Sequence, residues 1–298
     1  MQIKRMEEYH LENIIKIDQL AFERVEPRSL ENLYGLRSLD PEGCFILTEG
    51  DEIIGYSFSK TMGSEGYLGP VGIHPSYQEN GMGQKIIQPS MEYLKSRCQV
   101  IGLEVRPEAG ENLGLYHKLG IHSTFPSLIM EVPDKIEVKL EGPNDYGVEP
   151  YSKMSQTRKE VFLEKIDLWT QQELMGISYR DDLELTHAGG GQIIIVSQGE
   201  EPMGVLSSYQ GVFIHLWGVM KPRPCQKDVL NLSLNSFCEF NGREKLLLEV
   251  NSRYNKLIDF LLEEDFRIQK SINRMLLKNF GGQHLNKSPN FVMRAWHA

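Results

Sequence analysis

Apolar positions along the first 135 residues switch between two periods. Leu11, Ile14, Ile15, Ile17, Leu20 and Ala21 recur every three or four residues and predict an amphipathic helix over 7–22. Leu30, Leu33, Leu36 and Leu39 predict a second, opened by Pro27 and Ser29 and closed by Pro41 and Gly43. Residues 2–5 read as a short first strand. Runs at 44–49, 52–61 and 67–73 predict a three-strand meander, with Gly50-Asp51 and 63–66 as its turns. Ile86, Ile87, Met91 and Leu94 return to helical spacing around Pro89. An interior proline costs a helix about 3 kcal/mol, so a bend or an early break is expected there. A strand at 100–105, a short helix at 112–119 closed by Gly120, and a last strand at 125–132 complete this half.

The second half repeats the first. Gly50 and Gly55 of one β-rich run align with Gly199 and Gly204 of another, both 149 residues on. Leu103-Glu104-Val105 aligns with Leu248-Glu249-Val250, 145 residues on. Helices are expected at 152–175, 225–241 and 252–264, and strands at 191–198, 201–208, 212–219, 244–250 and 267–277. The polar stretch 136–150, with Gly142-Pro143-Asn144-Asp145, reads as a linker. The expected organisation is therefore α+β: a domain over 1–135, the linker, a second domain over 151–278, and a C-terminal tail over 279–298. The tail either stays unstructured or packs back through Phe291, Val292, Met293 and Trp296.

Candidate chemistry concentrates after the third strand of the first meander. Val71-Gly72-Ile73-His74-Pro75-Ser76-Tyr77 runs into Gln78-Glu79-Asn80-Gly81-Met82-Gly83-Gln84, a Q-x-x-G-x-G loop that opens a helix. Glycines admit positive φ and close approach, and a helix N-terminus offers free N–H groups to an anion. Alone, so short a pattern is equally a plain strand-turn-helix connection. About thirty residues later Asn112 and Tyr116 stand at i and i+4, on one helical face. The Gly189-Gly190-Gly191 run precedes a strand and so forms no rival phosphate loop.

These two motifs, in this order, resemble the GNAT superfamily of N-acetyltransferases over about residues 1–135, and the repeat implies two tandem GNAT-like domains. Each would be a mixed, mostly antiparallel sheet flanked by helices. The resemblance implies acetyl-CoA as co-substrate, its pyrophosphate on Gln78–Gln84 and its pantetheine arm along Val71, Gly72 and Ile73. It also places Asn112 and Tyr116 at the cofactor, with Tyr116 as general acid toward the thiolate. Glu104 is the candidate general base, with Glu65 and His74 as rivals. The second copy reads Met220-Lys-Pro-Arg-Pro-Cys-Gln-Lys where the loop would stand. Two prolines there remove N–H donors, and Leu261 stands at the position of Tyr116. That copy is expected to be degenerate, with Tyr209, Trp217 and the tail as candidates for shaping an acceptor pocket.

Composition narrows the class further. The 298 residues are 40% hydrophobic and 24% charged, an ordinary globular mix, with a formal net charge of −9. That charge argues against a general nucleic-acid binder. Cys44, Cys98, Cys225 and Cys238 form no C-x-x-C pair, and no histidine spacing suggests zinc, so no metal is expected. The thiols, the absence of a signal-like N-terminus and of a long apolar run point to a cytoplasmic chain, monomer or homodimer. The acceptor expected is a primary amine of a small molecule or peptide. A non-catalytic acyl-CoA sensor, and acyl transfer to a thiol or a peptide N-terminus, remain the alternatives.

Overall fold

The structure, a computed structural model, describes residues 1–23, 28–134, 136, 145–174, 176–210, 214–221, 226–241, 245–281 and 291–293. They form two compact units. Of the described residues, one holds 1–123 and 275–281; the other holds 124–274 and the strand at 291–293.

In the first unit the order is β1 (Gln2–Arg5), α1 (Leu11–Ala21), α2 (Leu30–Leu39), β2 (Phe45–Glu49), β3 (Glu52–Met62) and β4 (Glu65–Ile73). Then come α3 (Met82–Lys95), β5 (Val100–Val105), α4 (Gly110–Lys118) and β6 (Ile121–Ser123). β1 to β4 pair as antiparallel neighbours, and β5 joins β4 in parallel. The helices cover both faces, as their apolar stripes require. Leu11, Ile14, Ile17 and Leu33 of α1 and α2 pack on Ile46, Tyr56 and Phe58. Ile87, Met91 and Leu94 of α3 pack on Ile101, Leu103 and Val105 from the opposite face, with Leu113 and Leu115 of α4 beside them. Ser29 caps α2 by accepting the Asn32 N–H at 3.1 Å.

The expected break at Pro89 does not occur: α3 runs unbroken from Met82 to Lys95. Ile86, Ile87, Ser90, Met91 and Leu94 are all buried. Burial at about 1.5–3 kcal/mol per large apolar side chain outweighs one lost hydrogen bond.

The second unit contains β7 (Ser127–Glu131), β8 (Tyr146–Pro150), α5 (Gln156–Glu173), α6 (Arg180–Ala188), β9 (Ile193–Gln198), β10 (Glu201–Gln210) and β11 (Ile214–Met220). It continues with α7 (Gln226–Asn241), β12 (Leu246–Asn251), α8 (Asn255–Glu263), the first part of β13 (Arg267–Gly281), whose residues from Met275 on belong to the first unit, and β14 (Phe291–Met293). Its order matches the first unit element for element: strand, two helices, meander, helix, strand, helix. β8 pairs β9 as β1 pairs β2, and β11 meets β12 in parallel as β4 meets β5. The fold is thus α+β, two mixed and mostly antiparallel sheets, each flanked by helices.

Three elements were not expected. Residues 146–150, assigned to a linker, form strand β8. α6 was not predicted, because only Leu183 and Leu185 interrupt a polar run. The strand expected at 125–132 is β7, which pairs with β12 and with Arg267–Ile272, but β6 was not expected before it, and it pairs with Met275–Leu277 of β13 in the first unit. Pro126, which cannot donate to a ladder, separates them. The tail contributes β14, one of the two outcomes expected for it, and its partners are β11 and β12. The compact units divide at 123/124.

Candidate active site

β4 and β5 are neighbours over three pairs only, Glu65–Tyr67 against Val100–Gly102. Beyond them β4 runs on to Ile73 and β5 to Val105 without pairing each other. The cause lies in β4. Opposite Ser57 and Ser59 of β3 it places Val71 and Leu68, so it carries one extra residue there. Gly69 sits in this bulge at φ 135°, and Pro70 offers no N–H. Bulges bend and re-aim a strand, and here the bend separates β4 from β5. Two strand edges are left facing a gap. The His74 N–H donates to the Ile54 carbonyl at 2.9 Å, on the β3 side. Strand alternation turns the Gly72 amide the same way and leaves the amides of Val71 and Ile73 toward the gap. Gly72 itself answers to packing: a Cβ there would lie 2.5 Å from the Tyr56 ring.

The Q-x-x-G-x-G loop follows β4 directly. Gln78 Nε2 donates to the Ile73 carbonyl at 3.0 Å and folds the loop against the strand end. Asn80 Nδ2 donates to the Gln78 carbonyl at 3.0 Å. Glu79 has φ 65°, and Gly81, at φ 72°, is the N-cap of α3 with no side-chain cap. A Cβ on Gly81 would meet nothing within 4 Å, so the space before the helix is open. The first-turn amides of Met82, Gly83 and Gln84 have no intrahelical acceptor. Open amides, the positive end of α3 and a glycine cradle fit a pyrophosphate. A Cβ on Gly83 would stand 3.1 Å from Leu115 Cδ2, so the first turn of α3 lies close against α4.

α4 presents Tyr116, half-buried against the cluster of Leu103, Val105 and Leu113. Burial pushes its phenol up to about 12, so Oη keeps its proton at neutral pH. Asn112 stands exposed one turn earlier. Glu104 lies between Leu103 and Val105 on β5. Those neighbours face α3 and α4, so alternation turns Glu104 to the opposite face. Tyr116 and Glu104 thus stand on the two faces of the same sheet, next to the gap. The rivals lie elsewhere: Glu65 is fully buried at the closed end where β4 and β5 still pair. His74 accepts the Ser76 N–H at 3.3 Å and lines a cavity with Tyr9, His10 and Ile46.

Sequence reasoning missed a charged group under β4. The Tyr56 hydroxyl donates to Asp18 of α1, which also pairs with Arg28, and Asp18 and Tyr56 are both fully buried. The available signal was Asp18 itself, an acid one turn after Ile14 on the apolar stripe.

The second unit mirrors the frame and not the chemistry. α4 and α8 correspond at both ends with an offset of 145, from Gly110 to Asn255 and from Lys118 to Glu263. The positions of Asn112 and Tyr116 become Leu257 and Leu261, both buried in the core. Residues 222–225 of the expected degenerate loop lie outside the described residues. Trp217 is buried against Tyr179, ring centroids 5.6 Å apart.

The gap, the open helix end and α4 all lie within one stretch of the chain, residues 65–118. Residues 11–121 match the model of the acetyltransferase (GNAT) family, an acyltransferase family. A mycothiol acetyltransferase from Streptomyces bingchenggensis is 33% identical over 72 residues, 24% of this chain and 23% of that relative. The match spans about a quarter of the curated relative's length. Over nearly the whole chain, a crystal structure of a candidate acetyltransferase from Pyrococcus horikoshii aligns with TM-score 0.73 at 17% identity, covering 99% of this chain and 94% of that one. A tandem GNAT protein from the clavulanic acid biosynthesis pathway aligns with TM-score 0.64 at 11% identity, covering 93% and 99%. These likenesses show the fold: two GNAT units in one chain. Among the described residues no helix is long and apolar enough to cross a membrane, and no group of three His, Cys, Asp or Glu could hold a metal.

Proposed function

We propose that the chain is an acetyl-CoA-dependent N-acetyltransferase acting on a primary amine of a small molecule or peptide. Its first unit would be catalytic and its second a framework. The observation that carries this reading is the junction of an unpaired strand edge, Val71–Ile73, with an uncapped helix N-terminus at Gly81–Gln84. That junction occurs in the unit that matches the family model.

In this reading the bound thioester supplies the acetyl group. The gap-facing amides of Val71 and Ile73 hold an extended amide chain as a neighbouring strand would, and the loop amides take the pyrophosphate. One of the β4 amides polarises the carbonyl oxygen as it gains charge. Glu104, on the other face, receives the proton an ammonium acceptor must shed before attack, directly or through water. Tyr116 Oη gives a proton to the departing sulfur. The likeness to the mycothiol enzyme covers too little of either chain to carry an acceptor.

The test is a screen of amines with acetyl-CoA, scored by free thiol release, on wild type and Tyr116→Phe. The variant should lose about 10²–10⁴-fold in kcat and retain its affinity for acetyl-CoA. With Oη pushed up to about 12, any alkaline limb of the rate below pH 10 belongs to another group and persists in Y116F. A sensor would show no turnover with any acceptor and no change in Y116F.

A further inference from the structure

The two parallel junctions differ in what lies beyond them. In the second unit β11 and β12 pair over Ile214–Leu216 against Leu246–Leu248, three pairs, as β4 and β5 do. Beyond this point the edges are buried: Val219, Met220 and Val250 have no exposed surface. A buried N–H without a partner costs about 1–3 kcal/mol, so this gap requires an occupant. It has one. β14 runs antiparallel to β11, Gly218 opposite Met293, Val219 opposite Val292 and Met220 opposite Phe291, and Met293 also pairs with Val250 of β12.

The register identifies the position. Gly55 of β3 faces Ile73, and its counterpart Gly204 of β10 faces Met220. Counting back along each strand, Gly218, Val219 and Met220 correspond to Val71, Gly72 and Ile73. These are the three residues assigned to the pantetheine edge. Alternation agrees as well. The Lys221 N–H donates to Met203 at 2.8 Å, so the amide of Val219 faces β10 and those of Gly218 and Met220 face β14. The bulge that bends β4 has no counterpart, since β10 and β11 keep one unbroken register over seven pairs.

We propose that Phe291–Met293 is a built-in ligand of the second unit. This segment occupies, as an added strand, the place that an extended cofactor arm takes in the first, and so closes the second cleft to coenzyme A. The cleft's ligand class is an extended backbone, and the chain supplies it. The comparison with the first cleft rests on the function proposed above; the seating of β14 does not. The consequence is one acyl-CoA site per chain.

Hydrogen exchange on the full-length protein without ligand tests this. The gap-facing amides of Gly218 and Met220 should exchange at least about tenfold more slowly than those of Val71 and Ile73, because paired edge amides open only with their strand. Met293→Pro removes a β14 donor and should bring Gly218 and Met220 to the rate of Val71 and Ile73, while Met293→Leu leaves them protected. Equal exchange of the two pairs of amides in the wild-type chain would overturn the proposal, and so would full protection surviving in M293P. Coenzyme A should protect Val71 and Ile73 and leave Gly218 and Met220 unchanged. If it protects neither pair, the cofactor reading of the first unit fails while the assignment of β14 stands; if it binds and protects Gly218 and Met220, the assignment fails.

Discussion

Gly72→Ala separates two reasons for a glycine in the cofactor strand. A Cβ at this position would lie 2.5 Å from Tyr56 Cε1, 2.8 Å from Cζ and 2.9 Å from Oη. Ordinary contact needs about 3.5–4 Å, so the ring would have to retreat by roughly 1 Å. It has little freedom to do so. Tyr56 is fully buried, stands edge-on to Phe58 at 5.6 Å, and is tied through its hydroxyl to Asp18. Overpacking of this kind costs about 1–3 kcal/mol. If the ring tilts enough to lose the bond to the carboxylate, about 1.5–3 kcal/mol more is lost. The expected destabilisation is therefore about 1–3 kcal/mol, rising to about 6 kcal/mol if that bond is lost, read from urea unfolding at constant m-value. A double-mutant cycle with Tyr56→Val should return a coupling of about 1–3 kcal/mol, because the smaller side chain leaves room for the methyl. Wild-type stability in G72A, together with weakened acetyl-CoA binding, would refute the reasoning and give Gly72 to the ligand instead of to Tyr56.

Asp18→Ala should cost about 3–5 kcal/mol in the same unfolding assay, because it leaves the Arg28 guanidinium, 10% exposed, without its carboxylate. A Cβ at Gly81 meets no atom within 4 Å, but Gly81→Val must hold φ 72°, a strain of about 1–2 kcal/mol. It should weaken acetyl-CoA binding about tenfold in a titration while leaving the fold intact. Burial pushes the thiols of Cys44 and Cys98 up from 9.0 to about 12. Below pH 9 each holds roughly a thousandth of the thiolate of an exposed cysteine. Iodoacetamide should therefore leave both unmodified in the native protein at pH 8 and label them on unfolding, which mass spectrometry of tryptic peptides reads directly.

Much of the candidate site was legible because it is local. Gln78, Gly81 and Gly83 lie within six residues, and the loop they build depends on turn geometry and the start of one helix. Asn112 and Tyr116 share a face because they are one turn apart. The repeat was legible for a related reason: two runs of apolar period and paired turn glycines recur at a nearly constant offset. Spacing by itself therefore determined the two-unit frame, the candidate loop and the loss of Tyr116's counterpart at Leu261. Tertiary structure decided what depends on partners distant in the chain. Pro89 stays helical because its neighbours are buried against β5 and the core, which no local rule weighs. β6 and β7 part company because their partners lie about 150 residues away in β13. The gap between β4 and β5 opens because of a bulge set by register against β3. β14 fills the matching gap in the second unit because buried strand edges must pair with something, and a three-residue segment carries no periodic signal that could say with what.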